Sequence, residues 1–552
     1  MQKPQVSRSH GGSNRGQAAA KGRFRDMFGE RTLDRPDFFT LPTDNDMLWE
    51  LAKIMTGVGE KPDLGAPIDE LEPVDENPTI PSGYTYFGQF VDHDISFDPT
   101  SLKARRADLE AKDDFRTPAL DLDSVYGDGP NVQPYLYVTK MVDGEERIYL
   151  RDGRKIEGKL GKTRTSHDLQ RLPEIDGKQI AVIGDKRNDE NKIVTQLHAA
   201  MIALHNRLTD DTTLLKKMGW KPGDDDNSRF NVAVMAARWH YQWVVLFDFV
   251  DRLCVPRTVH TVLNSGSTPR IKNYLDIDPD FAYIPMEFAV AAYRLGHSMV
   301  RPSYALNEFI GVDVFDEHRV PIFVPDPAAG PRESLNGFGS PIASQWGIDW
   351  SFFLDGLQKP TAGAKTLKIP QLSYRIDASL VNPLQNLPEF FGGKERFANL
   401  AYRNLLRGTQ QRLPSGEAIA HALGQEPIPF DALWWAGSLP PGQVNAELKD
   451  IAEARQAFGN IFRSKIEGRT PLWYYILREA EIQGTTRNQN PHDEFGGQHL
   501  GSVGSTIVAE TFVGLLWMDE NSFIRSPIKF DPVIPRKETD FELADLIKYA
   551  LG

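Results

Sequence analysis

The sequence is organised around residues 84–95, which read YTYFGQFVDHDI. Phe87, Phe90 and Val91 recur at spacings of three and four residues, a pattern typical of the apolar face of an α-helix. Acidic and imidazole side chains directly follow this apolar face. The segment therefore predicts a buried helix that brings ionisable groups into the protein interior.

The ionisable groups of this helix point in different directions. Each helical residue advances the side chain by about 100°, so Asp92 and Asp94 project to either side of His93. Gln89 lies four residues before His93, on the same face. The helix thus offers a proton-accepting imidazole beside an amide, with two carboxylates directed at different neighbours. A buried histidine kept neutral by hydrogen bonds to nearby acids has the same pattern, so these residues alone leave both interpretations open.

Length and composition indicate an ordinary globular protein. The 552 residues are 40% hydrophobic and 25% charged, enough for a sizeable core in one large domain or several. A formal charge of −13 and a pI near 5.5 argue against a nucleic-acid partner. The single cysteine, Cys254, excludes an internal disulfide framework and is compatible with a reducing compartment.

The sequence was also searched for membrane-spanning and targeting segments. No run of about 18 apolar residues occurs, so no membrane span is expected. Residues 1–22 lack the hydrophobic centre of a signal peptide and predict a disordered tail before one domain at 23–552. The expected location is cytoplasmic or reached by non-classical secretion. The oligomeric state stays open.

The rest of the chain predicts a mainly α fold with very little β structure, built around a buried cofactor. A hairpin is expected at 134–150, with Asp143–Gly144 at its turn. Asp44 to Asp46 predict the cap of a first helix that Gly57 closes. Residues 301–393 are rich in Pro and Gly with few periodic stretches. Further helices are predicted at 193–208, 230–253, 285–300, 394–408, 446–463, 471–483 and 505–517.

A second motif offers oxygen ligands. Thr117, Ala119, Asp121 and Asp123 recur at every second residue, so an extended loop would turn their oxygens toward one point. Calcium takes six to eight such ligands from side chains and backbone carbonyls. The EF-hand pattern is absent, and a solvated acidic turn is the alternative interpretation.

Two further motifs carry an arginine and a histidine. Arg187 is followed three residues later by Glu190, directly before a long helix, although a surface ion pair has the same spacing. His297 ends an apolar segment in which Gly296 leaves room for a flat molecule to approach. A hydrogen-bonded core histidine is the alternative interpretation for His297.

Together these segments resemble the animal-type haem peroxidases of the peroxidase–cyclooxygenase superfamily. Residues 88–94 match the family pattern Gly-Gln-x-x-Asp-His-Asp, residues 294–297 match Arg-x-Gly-His, and residues 404–407 match Asn-x-x-Arg. The resemblance spans about residues 80–425. The missing cysteines and the long 301–393 stretch suggest a disulfide-poor, microbial-type branch.

The resemblance implies a distal catalytic set and a proximal haem-binding set. On the distal side, His93 would move the protons of H₂O₂, with Gln89 beside it and Arg187 as a fixed cation. On the proximal side, His297 would ligate the haem iron and Asn404 would accept its other ring N–H. Arg294 and Arg407 would pair with the haem propionates.

The resemblance also implies a calcium site and covalent haem. The calcium ligands would be Asp94, Thr117, the carbonyl of Ala119, Asp121 and Asp123. Asp92 and Glu190 occupy the places of the residues that form ester bonds to haem methyls in animal members. Asn191 stands where other members have the methionine of a sulfonium bond, so that third bond is not expected.

The implied activity is that of a haem peroxidase. Haem b, or its ester-linked derivative, would react with H₂O₂ to give compound I, which oxidises halides, thiocyanate or phenols. A fatty-acid dioxygenase is the first alternative, but relatives of that kind place Tyr three residues before the proximal His. Arg294 stands there, with Tyr293 one residue off. A catalytically silent haem and calcium adhesion protein is the second alternative.

Overall fold

The fold was analysed in a computed structural model of the 552-residue chain. The predicted tail at 1–22 lies outside the residues that the structure describes. The described residues are 24–28, 42–57, 76–97, 116–156, 166–223, 228–264, 268–275, 282–308, 319–323, 334–357, 369–390, 395–434, 446–485, 496–527, 529–537 and 540–552.

Helices dominate these residues, and the predicted mainly α class is confirmed. The α-helices are Pro42–Met55, Gly83–Ile95, Asp123–Tyr126, Lys192–Asp210, Thr212–Lys217, Arg229–Val244, Asp251–Leu253, Thr258–Leu263, Lys272–Leu275, Met286–Val290, Glu395–Ala398, Leu400–Gln410, Gly416–Ala422, Phe430–Trp434, Ala446–Ile466, Leu472–Gln483, Ser502–Met518 and Leu543–Leu551. The 3₁₀ turns are Pro134–Leu136, Lys186–Asp189, Ala292–His297, Ser344–Trp346, Trp350–Phe352, Asn382–Gln385 and Pro388–Phe390. No helix within the described ranges is both long and apolar enough to cross a bilayer.

The strands are short and pair two by two. They are Phe24–Arg25, Glu76–Pro81, Tyr137–Val142, Glu145–Leu150, Lys155–Ile156, Ser166–His167, Ile284–Pro285, Ser303–Tyr304, Val320–Pro321 and Leu372–Tyr374. The predicted hairpin is confirmed, with Val142 opposite Glu145 across the turn. Asp143 and Gly144 both adopt positive φ, 52° and 79°, as a tight hairpin turn requires.

The long helix Lys192–Asp210 supports the helix that bears His93. Its predicted apolar stripe is fully buried and packs against the His93 helix (Gly83–Ile95) and the helix Arg229–Val244. The helix Leu543–Leu551 covers it from another side. One continuous hydrophobic core includes all four helices, which fixes the His93 helix on a rigid support.

The predicted helix 230–253 is interrupted by a π-helix at Val245–Val250. The predicted helix is apolar on nearly all sides, so its sequence has no polar face that could show where the α-helical period changes. The π-turn brings Phe249 onto the His93 helix at Gly88, where a Cβ atom would lie 2.8 Å from the ring. Gly88 is therefore needed for this close approach.

Asp248 of the same π-helix ties distant parts of the chain together. Its carboxylate accepts from the Tyr84 hydroxyl at 2.6 Å and from the Leu543 backbone N–H at 2.8 Å. Arg252 donates to Asp248 at 2.6 Å and to Glu542 at 2.8 Å. The start of the His93 helix and the start of helix Leu543–Leu551 thus share one buried acid.

Three further predicted helices differ from the structure. The segment 285–300 is broken at Ala291 (φ −129°, ψ −72°), so His297 lies in the 3₁₀ turn and not on a long helix. The segment 394–408 is split at Asn399, whose side chain caps the second half by accepting from the Tyr402 N–H. The first helix begins at Pro42, so the predicted cap at Asp44 to Asp46 was placed too late.

Candidate functional site

His93 is buried, at 4% exposure, and both its ring nitrogens have partners. Nδ1 lies 2.8 Å from the amide oxygen of Asn188, and Nε2 lies 3.3 Å from Oε1 of Glu190. Gln89 donates its amide N–H to the same Glu190 oxygen. The structure thus brings together the predicted His93, Gln89 and Glu190.

These contacts assign the protons of the site. The Asn188 oxygen can only accept, so Nδ1 of His93 carries the hydrogen and Nε2 is the atom that exchanges protons. A contact between Nε2 and a carboxylate oxygen is favourable when one proton lies between them. Burial raises the pKa of Glu190, but the hydrogen bond and charge of His93 outweigh it and leave the pKa lowered. Glu190 is therefore the carboxylate partner of Nε2.

Two residues of this network were missed by the sequence analysis. The Asn188 amide nitrogen lies 2.9 Å from Nδ1 of His198, a fully buried ring on the long helix Lys192–Asp210. Burial lowers the pKa of His198 to about 3, so the ring is neutral and its Nδ1 accepts from Asn188. His198 thus fixes the Asn188 amide, and Asn188 fixes the ring of His93. An Asn beside a candidate catalytic arginine was the only available sequence signal.

Arg187 lies beside this network and is largely engaged by acceptors. Its Nη2 donates to the carbonyl oxygens of His93 (2.9 Å) and Ser96 (2.6 Å), and to Asp185 at 2.8 Å. The guanidinium also stacks on Phe97, 4.7 Å from the ring centroid. Nη1 makes no hydrogen bond to any residue that the structure describes. Arg187 therefore holds the end of the His93 helix and keeps one nitrogen available.

His297 lies against Asn404, as predicted, but the amide is turned the other way. The Asn404 nitrogen lies 2.8 Å from Nδ1 of His297, while its oxygen accepts from Arg294 Nη1 at 3.3 Å. The expected arrangement has the Asn404 oxygen accepting from His297. Arg294 causes the difference because it takes that oxygen. An anion that drew Arg294 away would free the amide to turn over.

The surroundings of His297 fit a haem. Burial, together with the charges of Arg294 and Arg403, lowers the pKa of His297 to about 3, so the imidazole is neutral and can ligate iron. A Cβ atom at Gly296 would meet nothing within 4 Å, which leaves open space beside the ring. A neutral imidazole, an open glycine and nearby guanidinium groups are the donor set that iron and two propionates need.

The two histidine-bearing segments adjoin each other. The Tyr293 hydroxyl, four residues before His297, donates to the Gly88 carbonyl of the His93 helix at 3.0 Å. Burial lowers the pKa of Arg407, and the charge of Asp92 opposes that shift, so these two side chains also interact. Asp92 accepts from Ser96 Oγ at 3.1 Å and is partly exposed. Asp92 and Arg407 are therefore close enough to interact electrostatically.

Asp94 points away from Asp92, into a cluster of acids. Ligand oxygens of Asp94, Asp121 and Asp123 lie within 4.8 Å of one another. Asp94 is fully buried; one oxygen accepts from the Leu122 N–H at 3.1 Å, and Oδ1 makes no hydrogen bond within the part of the chain that the structure describes. Burial and the two neighbouring acids raise the pKa of Asp94 well above its usual range. A buried, unsatisfied carboxylate among acids fits a divalent cation.

The loop that carries the other predicted ligands is not regularly extended. Leu122 adopts the left-handed conformation (φ 57°, ψ 31°), and Asp123 begins a short helix. This turn, and not strand-like alternation, directs Asp121 and Asp123 toward Asp94. Thr117 and Ala119 lie on the preceding bend, where the Ala119 N–H donates to the Thr117 carbonyl at 2.8 Å. Their role as ligands stays a prediction.

Comparison with known protein families gives one match. Residues 114–322 match the sequence model of a family described as animal haem peroxidase, a range that includes Arg187 and His297 but not His93. No curated protein matches the chain.

The fold is similar to that of a solved peroxidase structure. Peroxidase A from Dictyostelium discoideum is 14% identical, with a TM-score of 0.53, over 96% of this chain and 93% of that chain. The fatty acid alpha-dioxygenase of Arabidopsis thaliana is 15% identical with a TM-score of 0.47, over 91% and 72% of the two chains. That of Oryza sativa is 14% identical with a TM-score of 0.48, over 92% and 76%. The chain is thus similar to the animal haem peroxidases over residues 114–322, and its mainly α fold is similar to that of a solved peroxidase.

Proposed function

We propose that this chain is a haem peroxidase that uses H₂O₂ to oxidise small anionic or phenolic reductants, among them halides and thiocyanate. The superfamily implies an oxidoreductase that binds haem. The observation that carries the proposal is the orientation of His93, whose Nδ1 is fixed by Asn188 while Nε2 is free to exchange a proton with Glu190. An adhesion protein has no need of such an arrangement.

The side chains of the chain handle the protons of this reaction. Haem, when bound, supplies the electrons that cleave the peroxide bond. His93 Nε2 accepts a proton from the attacking oxygen of H₂O₂ and returns it to the departing oxygen, which leaves as water. Gln89 and Glu190 hold the ring's proton-exchanging edge in place. His297 would ligate the iron, and Arg294 and Arg407 would hold the propionates.

Arg187 contributes positive charge beside His93. Its Nη2 holds the carbonyl of His93, and Nη1 is directed to no acceptor among the described residues. A guanidinium at this place stabilises negative charge that develops on the departing oxygen.

The test of the function is an absorption spectrum of the purified chain, followed by peroxide-dependent oxidation of guaiacol and bromide. A chain that binds no haem, or binds it without peroxidase turnover, contradicts the proposal.

Asn188→Ala should reduce the rate of reaction with H₂O₂ by about tenfold, without loss of haem, because an outer partner that orients the base is removed. Stopped-flow absorbance of the haem band measures this rate. Asn188→Asp is the matched control, since a carboxylate still accepts from Nδ1 of His93 and retains most of the rate. Equal rates in the wild type and Asn188→Ala contradict the assigned role.

We also propose that Asp94, Asp121 and Asp123 bind Ca²⁺, with Thr117 Oγ and the Ala119 carbonyl completing the ligand set. The support is the unpartnered Oδ1 of Asp94 and the convergence of three acids on one point. The ion would tie the His93 helix to the loop that follows it.

Chelation of Ca²⁺ should lower the thermal unfolding temperature of the wild type, because a ligand present at about 1,000 times its Kd contributes about 4 kcal/mol. Asp94→Asn should abolish this response. Differential scanning calorimetry with and without chelator measures both, and Asp128→Asn, outside the cluster, is the control. Since the raised pKa makes protons compete for Asp94, Ca²⁺ affinity should fall as the pH is lowered. A chelator response that survives in Asp94→Asn contradicts the site.

Ester bonds to haem through Asp92 and Glu190 are a further part of the proposal. Both carboxylates are partly exposed, with 28% of the Glu190 side chain accessible. Each bond joins a carboxylate oxygen to a haem methyl carbon with loss of one proton and two electrons, and H₂O₂ takes up the electrons as it forms water. Acid–acetone extraction after peroxide treatment tests this. Complete extraction of the haem contradicts the ester bonds.

A fatty-acid dioxygenase remains the second candidate on one observation. Tyr293 reaches from the proximal turn to the Gly88 carbonyl, so its phenol lies between the two histidine-bearing segments. If bound haem that had reacted with peroxide took one electron and one proton from this phenol, the resulting phenoxyl radical would be able to take a hydrogen atom from a substrate. Arg294 at the position of the family's radical tyrosine opposes this reaction. Oxygen uptake with linoleate, measured beside peroxide turnover, separates the two functions.

A further inference from the structure

Asp185, a buried carboxylate to which the resemblance assigned no role, lies between two arginines. It is 3% exposed and accepts from Arg187 at the backbone N–H (2.9 Å) and at Nη2 (2.8 Å). The same carboxylate accepts from Arg116 at Nη2 (2.6 Å) and Nε (3.1 Å). Asp185 therefore holds two guanidinium groups at once.

Arg116 continues the connection to the acid cluster. Its Nη1 donates to Oδ1 of Asp123 at 2.8 Å, and its side chain is only 8% exposed. Asp123, Arg116, Asp185 and Arg187 thus form an unbroken chain of charge-assisted hydrogen bonds. Because all four are sheltered from solvent to a large degree, the contacts are screened little.

The two guanidinium groups also share one aromatic ring. Phe97 lies 6.0 Å from the centre of Arg116 and 4.7 Å from that of Arg187. Two like charges at one ring repel each other unless an anion lies between them, and Asp185 is that anion. Burial raises the pKa of Asp185, but its bonds to Arg187 and Arg116 outweigh this and hold the pKa well below its usual range.

The charges of the region balance with a divalent cation. The carboxylates of Asp94, Asp121, Asp123 and Asp185 face the guanidinium groups of Arg116 and Arg187, which leaves two negative charges. A cation bound by Asp123 shares its charge and weakens its hold on Arg116. Arg116 then pairs more fully with Asp185, and Asp185 holds Arg187 less tightly.

We propose that Asp185 is a positioning residue that couples cation binding at Asp94, Asp121 and Asp123 to the availability of Arg187 beside His93. The inference rests on the proposed calcium site and the proposed role of Arg187. Coupling of this kind is reciprocal: if the cation releases Arg187, removal of Arg187 must tighten cation binding.

Calcium affinities of the haem-loaded full chain, measured by isothermal titration calorimetry, test the coupling. Arg187→Gln should raise the Ca²⁺ affinity about fivefold, because Asp185 then draws Arg116 away from Asp123. In an Asp185→Asn background the same substitution should leave the affinity unchanged. Lys186→Gln is the matched control: this exposed neighbour loses the same charge but has no contact with Asp185 among those described.

Three outcomes overturn the inference: an equal effect of Arg187→Gln in both backgrounds, an effect no larger than that of Lys186→Gln, and no effect at all. Should Asp185→Asn fail to fold, Arg116→Lys replaces it as the background, since one ammonium cannot span both carboxylates as the guanidinium does. Haem absorbance and peroxide turnover of the same samples report on the proposed function separately. A chain without turnover that still shows the fivefold difference refutes the peroxidase and retains the coupling.

Discussion

His93→Ala is expected to slow the reaction of the haem-loaded protein with H₂O₂ by about 10²- to 10⁴-fold, the range that a positioned general acid–base group contributes. The reason lies in the two contacts of the ring. Asn188 fixes the hydrogen on Nδ1, so Nε2 is the atom able to accept and return the peroxide proton. Glu190 cannot replace it, because its lowered pKa makes it a weak base.

The measurement is the second-order rate of change of the haem band after mixing with H₂O₂ in a stopped-flow instrument. His260→Ala is the control, since His260 is exposed and lies outside the network. Haem content should equal that of the wild type, because His93 is not the proposed iron ligand. A His93→Ala protein that reacts as fast as the His260→Ala protein shows that proton transfer depends on another group.

His297→Ala is expected to cause the second large effect, the loss of normal haem ligation. The neutral imidazole of His297 is the proposed donor to the iron, and Asn404 and Arg294 are arranged around it. Without His297 the cofactor would lose its proposed iron ligand. We expect a displaced Soret band, a much lower haem content after gel filtration and no peroxide turnover.

His421→Ala provides the comparison for this variant. His421 is an exposed histidine in the same half of the chain, so its removal tests for unspecific effects of losing a histidine. Added imidazole should restore part of the Soret band of His297→Ala by entering the space that the side chain leaves beside Gly296. An unaltered spectrum in His297→Ala excludes this residue as the ligand.

The sequence predicted those helices whose apolar residues recur at regular helical spacing. The His93 helix and the helix Lys192–Asp210 each have a regular apolar face, and both were placed within a few residues of their true ends. The hairpin was predictable because Asp143–Gly144 adopts a backbone conformation that few other pairs tolerate. The π-helix was not predictable, because a segment that is apolar on all sides has no alternation of apolar and polar residues that could show a change in helical period.

The candidate site was predictable where one residue type carries the chemistry. His93 and Gln89 were named from their spacing and from the family resemblance, the resemblance also singled out Glu190, and the structure places the three residues in contact. Asn188 and His198 were missed because their roles depend on a loop meeting a helix, which local sequence does not encode. The turned amide of Asn404 was missed for a similar reason, since Arg294 approaches it only in the folded chain.

The acid shared by Tyr84 and Leu543 has a consequence for how the protein is made. The helix that bears His93 begins at a residue whose hydroxyl is held by Asp248, and Asp248 is also held by the backbone at Leu543. More than 450 residues separate these two partners along the chain. During synthesis, the link from Tyr84 through Asp248 to Leu543 therefore cannot form until almost the whole chain has emerged from the ribosome.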